Sequence, residues 1–351
     1  MNKNRYFIAL LLPLLALGSC ADWTTQDPIP VEAPVLRPAD KVVREYKADI
    51  FSRPIVIGMM HDWCKQPLHW LSETPDSLDV VILKGVTEEL TSTQSYDLAS
   101  AQSAKHTRVL LGMDLSQYDV SGSKELDRQL TKERMILNTK WAAAETEPTP
   151  EEKDAELSAM TERVTKELHD KWLRSAQQEI VRGLGLLSKT PLDGYSIKLP
   201  VDFALFDKAE ITDILADLYK RASSQRADYL IAVESPYAEA ASFIEKATWV
   251  LYSCTAVDPT LAHFTEQASL WSGSRFIPTI DLSDKKNAIG YPDSPIFSAD
   301  RISRDRELIH WTSANKAGVA FDHIEMDAGN KSGTEGFALL RDLINANSLT
   351  K

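Results

Sequence analysis

The chain has 351 residues, 39 Lys+Arg against 51 Asp+Glu for a net charge of -12, and 43% hydrophobic residues. These fractions exclude an intrinsically disordered or collagen-like chain. The acidic balance excludes a nucleic-acid binder, which needs a basic face for phosphates, and three cysteines exclude a disulfide-built scaffold.

Lys3 and Arg5 precede an apolar run from Tyr6 to Leu17. That run is shorter than the roughly 20 residues a spanning helix needs, so it reads as a secretory signal. Its end, Leu17-Gly18-Ser19-Cys20, resembles a bacterial lipobox. The resemblance implies cleavage before Cys20, lipid on its thiol and new amine, and attachment to the membrane. Pro28, Pro30, Pro34 and Pro38 then punctuate a polar stretch. Residues 20–47 read as a semi-extended tether, leaving 48–348 as one folded domain.

Short apolar runs follow at Pro54–Met60, Ser77–Leu83, Thr107–Met113, Leu192–Leu199, Ala227–Val233, Thr248–Ser253, Arg275–Asp281 and Gly318–Glu325. Such runs are typical of parallel strands buried on both faces. Between the third and fourth, Leu126, Leu130, Leu137 and Trp141 mark one helix. Leu157, Met160, Val164, Leu168, Trp172, Ala176, Ile180 and Leu184 mark a longer one. The longer helix opens on Thr149-Pro150-Glu151-Glu152, with a cap, a proline in the first turn and a glutamate three residues on. Later stripes are Ile211, Ile214, Leu215, Leu218 and Phe337, Leu340, Leu343, Ile344. The alternation predicts an α/β fold, a (β/α)8 TIM barrel forming a single domain after the signal and tether. The runner-up is a doubly wound sheet, which would normally carry a Gly-rich phosphate loop.

No HExxH, CxxC or GxSxG motif occurs. His61 with Asp62, and His323 with Glu325 and Asp327, would make a metal set only if barrel closure joined them; their spacing reads instead as polar strand ends. Neither a metal nor a cofactor is expected.

The fourth strand reads Asp193-Gly194-Tyr195-Ser196-Ile197-Lys198-Leu199-Pro200. Together with RPIVIGMMHDW, DSLDVVIL and AGVAFDHIEMD, it resembles glycoside hydrolase family 18, the chitinase and endo-β-N-acetylglucosaminidase family. It resembles in particular the lipoprotein branch found in Bacteroidota. That family's fourth strand ends in DGxDxDxE. Here Ser196, Lys198 and Pro200 stand at the positions of the two later aspartates and the glutamate. The resemblance implies that the glutamate would protonate the glycosidic oxygen, and proline carries no such proton. It also implies that the neighbouring aspartate would steady an oxazolinium formed by the substrate's own N-acetyl group. Lys198 puts a like charge there, worth roughly 4 kcal/mol at 4 Å and an effective dielectric near 20. Tyr252 is the sixth-strand tyrosine the resemblance would assign to the N-acetyl group.

Three functions follow. The first is a non-catalytic glycan-binding lipoprotein of the outer membrane, surface-exposed or facing the periplasm. It would capture N-acetylglucosamine-containing glycans for an outer-membrane uptake complex. Its candidate contacts are His61, Asp62, Trp63, Trp70, Asp114, Lys198, Glu234, Tyr237, Trp271, His323 and Glu325, with Tyr195 on the opposite pleat. Trp63 ranks first because it directly follows a strand. The second is an active hydrolase using a non-standard acid, with Asp193, Asp202 and Glu234 as the available carboxylates. The third is a protein-binding scaffold, which predicts Trp63 and Trp271 buried away from the mouth.

Overall fold

The computed structural model describes residues 38–235, 246–256, 259–271, 273, 275–284, 290–294 and 303–348. The signal, Cys20 and Tyr237 lie outside the described residues. Eight strands are present: β1 (Ile55–Met60), β2 (Val80–Leu83), β3 (Arg108–Asp114), β4 (Gly194–Lys198), β5 (Leu230–Glu234), β6 (Trp249–Ser253), β7 (Phe276–Asp281) and β8 (Gly318–Asp322). They pair in parallel in chain order, and β8 closes on β1. Closure removes the doubly wound alternative and establishes the (β/α)8 barrel.

Strand side chains alternate with period two, and the core divides along that alternation. Ile55, Ile57 and Met59 of β1 pack with Val80, Ile82, Leu110, Ala232, Trp249, Leu251, Ile277 and Ala320 inside the barrel. The intervening residues, among them Val56, Val81, Leu111, Tyr195, Val233 and Phe321, join a larger cluster beneath the helices. Tyr195 therefore faces outward, its ring edge-on to Tyr229 at 6.2 Å.

The described helices are α1 (Pro38–Lys47), α2 (Ser92–Ala104), α3 (Ser116–Ala142), α4 (Pro150–Lys189), α5 (Lys208–Gln225), α6 (Leu261–Ser269), α7 (Arg304–His310) and α8 (Ala338–Ser348). The capping box at Thr149 and Glu152 starts α4 as its sequence predicts. The helices α3 and α4 form an antiparallel hairpin. The Trp141 Nε1–H donates to Glu156 across it, and the Trp172 Nε1–H donates to Glu125. Both tryptophans are therefore packing residues.

The expected tether ends earlier than its sequence suggests. Pro38–Lys47 is helical, because proline fits a first helical turn and no further proline follows until Pro54. Lys47 is buried, its Nζ donating to Leu78 O at 2.6 Å and Thr107 Oγ1 at 2.9 Å. These contacts anchor α1 at the N-terminal ends of β2 and β3. Two carboxylates staple the same end. Asp79 accepts from Val56 N at 2.9 Å and pairs with Arg53, and Asp193 accepts from Val109 N at 2.9 Å and pairs with Arg108. A Cβ on Gly194 would collide with Leu230 O, so glycine is required there. The Asp193-Gly194 pair thus serves barrel closure, and Asp193 is remote from the C-terminal ends of the strands.

Burial lowers the Lys47 amine to about 7, with the Asp79 charge opposing the shift. Its unfolded value is near 10.5. Between these values the unfolded chain binds the extra proton, so the Lys47 contribution to stability rises with pH across that window. Relative to Lys47→Met, wild-type stability is expected to gain on the order of 2–4 kcal/mol from pH 7 to 10. Urea titrations at each pH would measure the difference, and a constant difference would contradict this assignment.

Candidate functional site

The strand ends carry the inward alternation one step beyond the apolar layers. There β2 is followed by Lys84, β4 presents Ser196, and β5 ends in Glu234. Lys84 Nζ forms a salt bridge with Glu234 across the mouth, and Ser196 Oγ donates to Glu234 Oε1 at 2.6 Å. Lys84 is 8% exposed and Glu234 6%, so each charge depends on the other for compensation. Space for the lysine comes from Gly112, where a Cβ would lie 2.8 Å from Lys84 Cδ and 2.9 Å from Leu83 O.

Beside this pair, β1 and β8 bring two histidines together. The rings of His61 and His323 stack with centroids 4.0 Å apart and planes 2° from parallel. His61 Nε2 hydrogen-bonds Asp322 Oδ1 at 2.7 Å, and His323 Nδ1 hydrogen-bonds Asp281 Oδ1 at 3.0 Å. The backbone N–H of His61 donates to Glu325 Oε2 at 3.2 Å. His323 has φ 55°, a left-handed turn that swings its ring over His61. Burial alone would raise the Asp322 pKa. The hydrogen bond from His61, with the charges of His61, Lys84 and His323, instead brings it down to about 2. Burial opposes protonation of His61, but the hydrogen bond to Asp322 and the charges of Asp322 and Glu325 raise its pKa above the usual value, against Lys84.

Donor atoms of His61, Asp322 and His323 lie within 4.8 Å of one another, close enough to be considered for a metal. The face-to-face rings keep their in-plane lone pairs in parallel planes, however, and a metal bonded by both at about 2.0–2.1 Å requires them to converge. Lys84 adds positive charge nearby. The cluster is organised as paired histidine–carboxylate hydrogen bonds. Asp62 and Asp327 are not part of it. Asp62 pairs with Lys65, and Asp327 accepts from Leu340 N at the start of α8.

A cleft of about 330 Å³ opens at the same end of the barrel. Lys198, Thr279, Asp281, Asp322 and Arg304 line it, with Phe264 and Tyr291 as its aromatic wall. A hollow of about 390 Å³ between α4 and α5 lies on the helical flank and contains none of the expected contacts.

His61, Lys198, Glu234, His323 and Glu325 therefore gather at the mouth, whereas other candidates do not. Trp63 is 2% exposed, and its Nε1–H donates to Asp97 Oδ2 at 2.8 Å, so it packs under the β1–β2 connection. Trp271 is 9% exposed and follows α6, at the end of the barrel opposite the mouth. Asp114 caps α3, accepting from Ser116 Oγ and Gln117 N. Tyr252 faces outward, its hydroxyl hydrogen-bonded to His263 Nε2 at 2.6 Å. Trp70 is half-buried in the β1–β2 connection, Asp202 is exposed after β4, and Pro200 is buried. Lys84, Asp281, Asp322 and Arg304 escaped the sequence reading. For Lys84 and Asp322 a signal existed, since a charged residue at inward parity ends an apolar strand.

Removing one partner of the Lys84–Glu234 pair leaves a buried charge uncompensated. Glu234→Gln is expected to cost about 3–5 kcal/mol, and Lys84→Met a similar amount. The double variant Lys84→Met/Glu234→Gln is expected to recover most of the loss. Urea unfolding of all four proteins completes the cycle, and additive losses would show the two residues to be independent.

No known family profile matches this chain, and no curated protein sequence matches it. Solved structures with a similar fold include an endo-beta-N-acetylglucosaminidase from Cordyceps militaris. It is 15% identical, with 90% of this chain and 97% of that one covered and a TM-score of 0.50. A selenomethionine form of the protein BT1044 is 14% identical, covering 89% and 94% respectively, with a TM-score of 0.55. At these identities the likeness is one of fold, a (β/α)8 barrel spanning nearly the whole of each chain.

Proposed function

We propose that the chain is an outer-membrane lipoprotein, anchored through Cys20, whose barrel mouth holds N-acetylglucosamine-containing glycans without cleaving them. It would supply an outer-membrane uptake system. The observation that carries this reading is an open polar cleft at the mouth of a barrel that lacks a proton donor where the family 18 resemblance requires one. Ser196 faces inward but is occupied by Glu234, Lys198 lines the cleft, and Pro200 occupies the acid's position.

Asp322, Glu234 and Asp202 do not replace that acid. A general acid must carry a proton near the working pH and reach the scissile oxygen. Asp322, at about 2, is ionised at neutrality. Glu234 is committed to Lys84 and Ser196, and Asp202 is exposed beyond β4. The fold likeness to an endo-beta-N-acetylglucosaminidase supports the choice of glycan.

One observation favours the scaffold reading instead. Trp63 is buried under the β1–β2 connection and Trp271 at the end opposite the mouth, which removes two expected sugar platforms. The cleft weighs against it, because a barrel serving only as a scaffold has no reason to keep a polar hollow at its mouth. Calorimetry of the unlipidated protein against N-glycans and chitooligosaccharides is expected to give micromolar dissociation constants, about -8 kcal/mol at 1 μM. A fluorogenic N-acetylglucosaminide should remain intact. Release of reducing ends would restore the hydrolase reading, and no heat with any glycan would favour the scaffold.

A further inference from the structure

We infer that the cleft takes a glycan residue bearing an anionic group, carboxylate or sulfate, held by Lys198 and Arg304 with Thr279. This rests on the glycan reading above and names the substrate class within it.

The inference follows from which polar groups at the mouth already have partners. Asp322 bonds His61. Asp281 bonds His323 and accepts from the backbone N–H and hydroxyl of Ser283 at 2.8 and 2.6 Å. Asp284, also on the cleft wall, has a partner as well. Lys198 lies in register between Asp114 on β3 and Glu234 on β5, yet both carboxylates are committed elsewhere, to the α3 cap and to Lys84. Among the described residues the Lys198 ammonium has no hydrogen bond and no ion pair.

Arg304 reinforces the point. It is 8% exposed and lies near Tyr291, its guanidinium carbon 5.3 Å from the ring centroid. Its Nε–H donates to Gly290 O at 3.0 Å. A guanidinium has five N–H donors, and the others on Arg304 have no acceptor among the described residues. Thr279 Oγ1 is likewise buried without a partner. A planar guanidinium fork with open donors fits two oxygens of one anionic group, and such charge-assisted bonds are about twice as strong as neutral ones. A free ammonium on β4 and an unpartnered hydroxyl on β7, lining the same cleft from different strands, complete a set of donors with no acceptor among the described residues. The volume, about 330 Å³, is at the small end of ligand sites, and the aromatic wall offers apolar surface to a sugar ring.

The test compares three tetrasaccharides by calorimetry: chitotetraose, a chain alternating uronate with N-acetylglucosamine, and sulfated chitotetraose. At least one acidic ligand is expected to bind tenfold or more tightly than chitotetraose, and the better of the two identifies the anionic group. That preference should shrink at about 0.5 M salt, where charges are screened. In Lys198→Gln the acidic-to-neutral ratio is expected to fall towards one, with a melting curve showing the variant folded. Arg304→Lys, which keeps the charge and loses the fork, should lower the ratio severalfold. Equal affinity for neutral and acidic ligands would overturn this inference and leave the glycan reading standing. A full preference retained in Lys198→Gln would also overturn it. Failure of all three ligands to bind would fall on the glycan reading itself.

Discussion

A lysine from β2 and a glutamate from β5 meet inside the mouth of the barrel, and the chemistry of that end depends on their contact. Two nearly buried charges far apart in sequence are tolerable only as a pair. The pair requires Gly112, because a side chain there would displace Lys84, and it draws the Ser196 hydroxyl to Glu234. It also has longer reach, since the Lys84 charge helps lower the Asp322 pKa and opposes protonation of His61. Glu234 is thereby made a structural counter-ion.

The likeness to solved glycosidase structures is one of architecture. On the fourth strand Asp193 and Gly194 both work at the N-terminal end of the barrel, away from the mouth. Asp193 accepts the Val109 N–H, and Gly194 lets the Leu230 carbonyl pass. These are requirements of any tightly closed barrel. Ser196 and Lys198 face the mouth from the same strand. One short strand thus carries closure at its start and polar groups of the mouth at its end.

The fold was legible because parallel strands buried on both faces leave continuous apolar runs, and because α4 announces its start with a proline and a capping box. The outer helix α2 was less legible, since its polar, small-residue stretch Ser92–Ala104 has no apolar stripe. At the site, alternation along the fourth strand put Ser196 and Lys198 on the pleat opposite Tyr195, as the structure has them. Proximity to a strand end misled for Trp63, because the β1–β2 connection folds its indole under itself onto Asp97. Trp271 failed for another reason: it precedes β7, and residues before a strand sit at the opposite end from those after it. Pairings such as Lys84 with Glu234 or His61 with His323 join distant parts of the chain, and no local spacing encodes them.

The two ends of the barrel differ in how fully their polar groups are satisfied. At the N-terminal end Asp79, Asp193, Lys47 and Thr107 are tied into contacts that hold α1 and the strands together. At the C-terminal end the acids are satisfied by histidines, Lys84 and serines, while Lys198, the outer nitrogens of Arg304 and the Thr279 hydroxyl are not. Of these, the Thr279 hydroxyl is buried and carries the desolvation cost of an unmet polar group. The two ends of one barrel thus divide the polar work: one closes the strands, and the other gathers Lys198, Arg304 and Thr279 with Asp281, Asp284 and Asp322 around a single cleft.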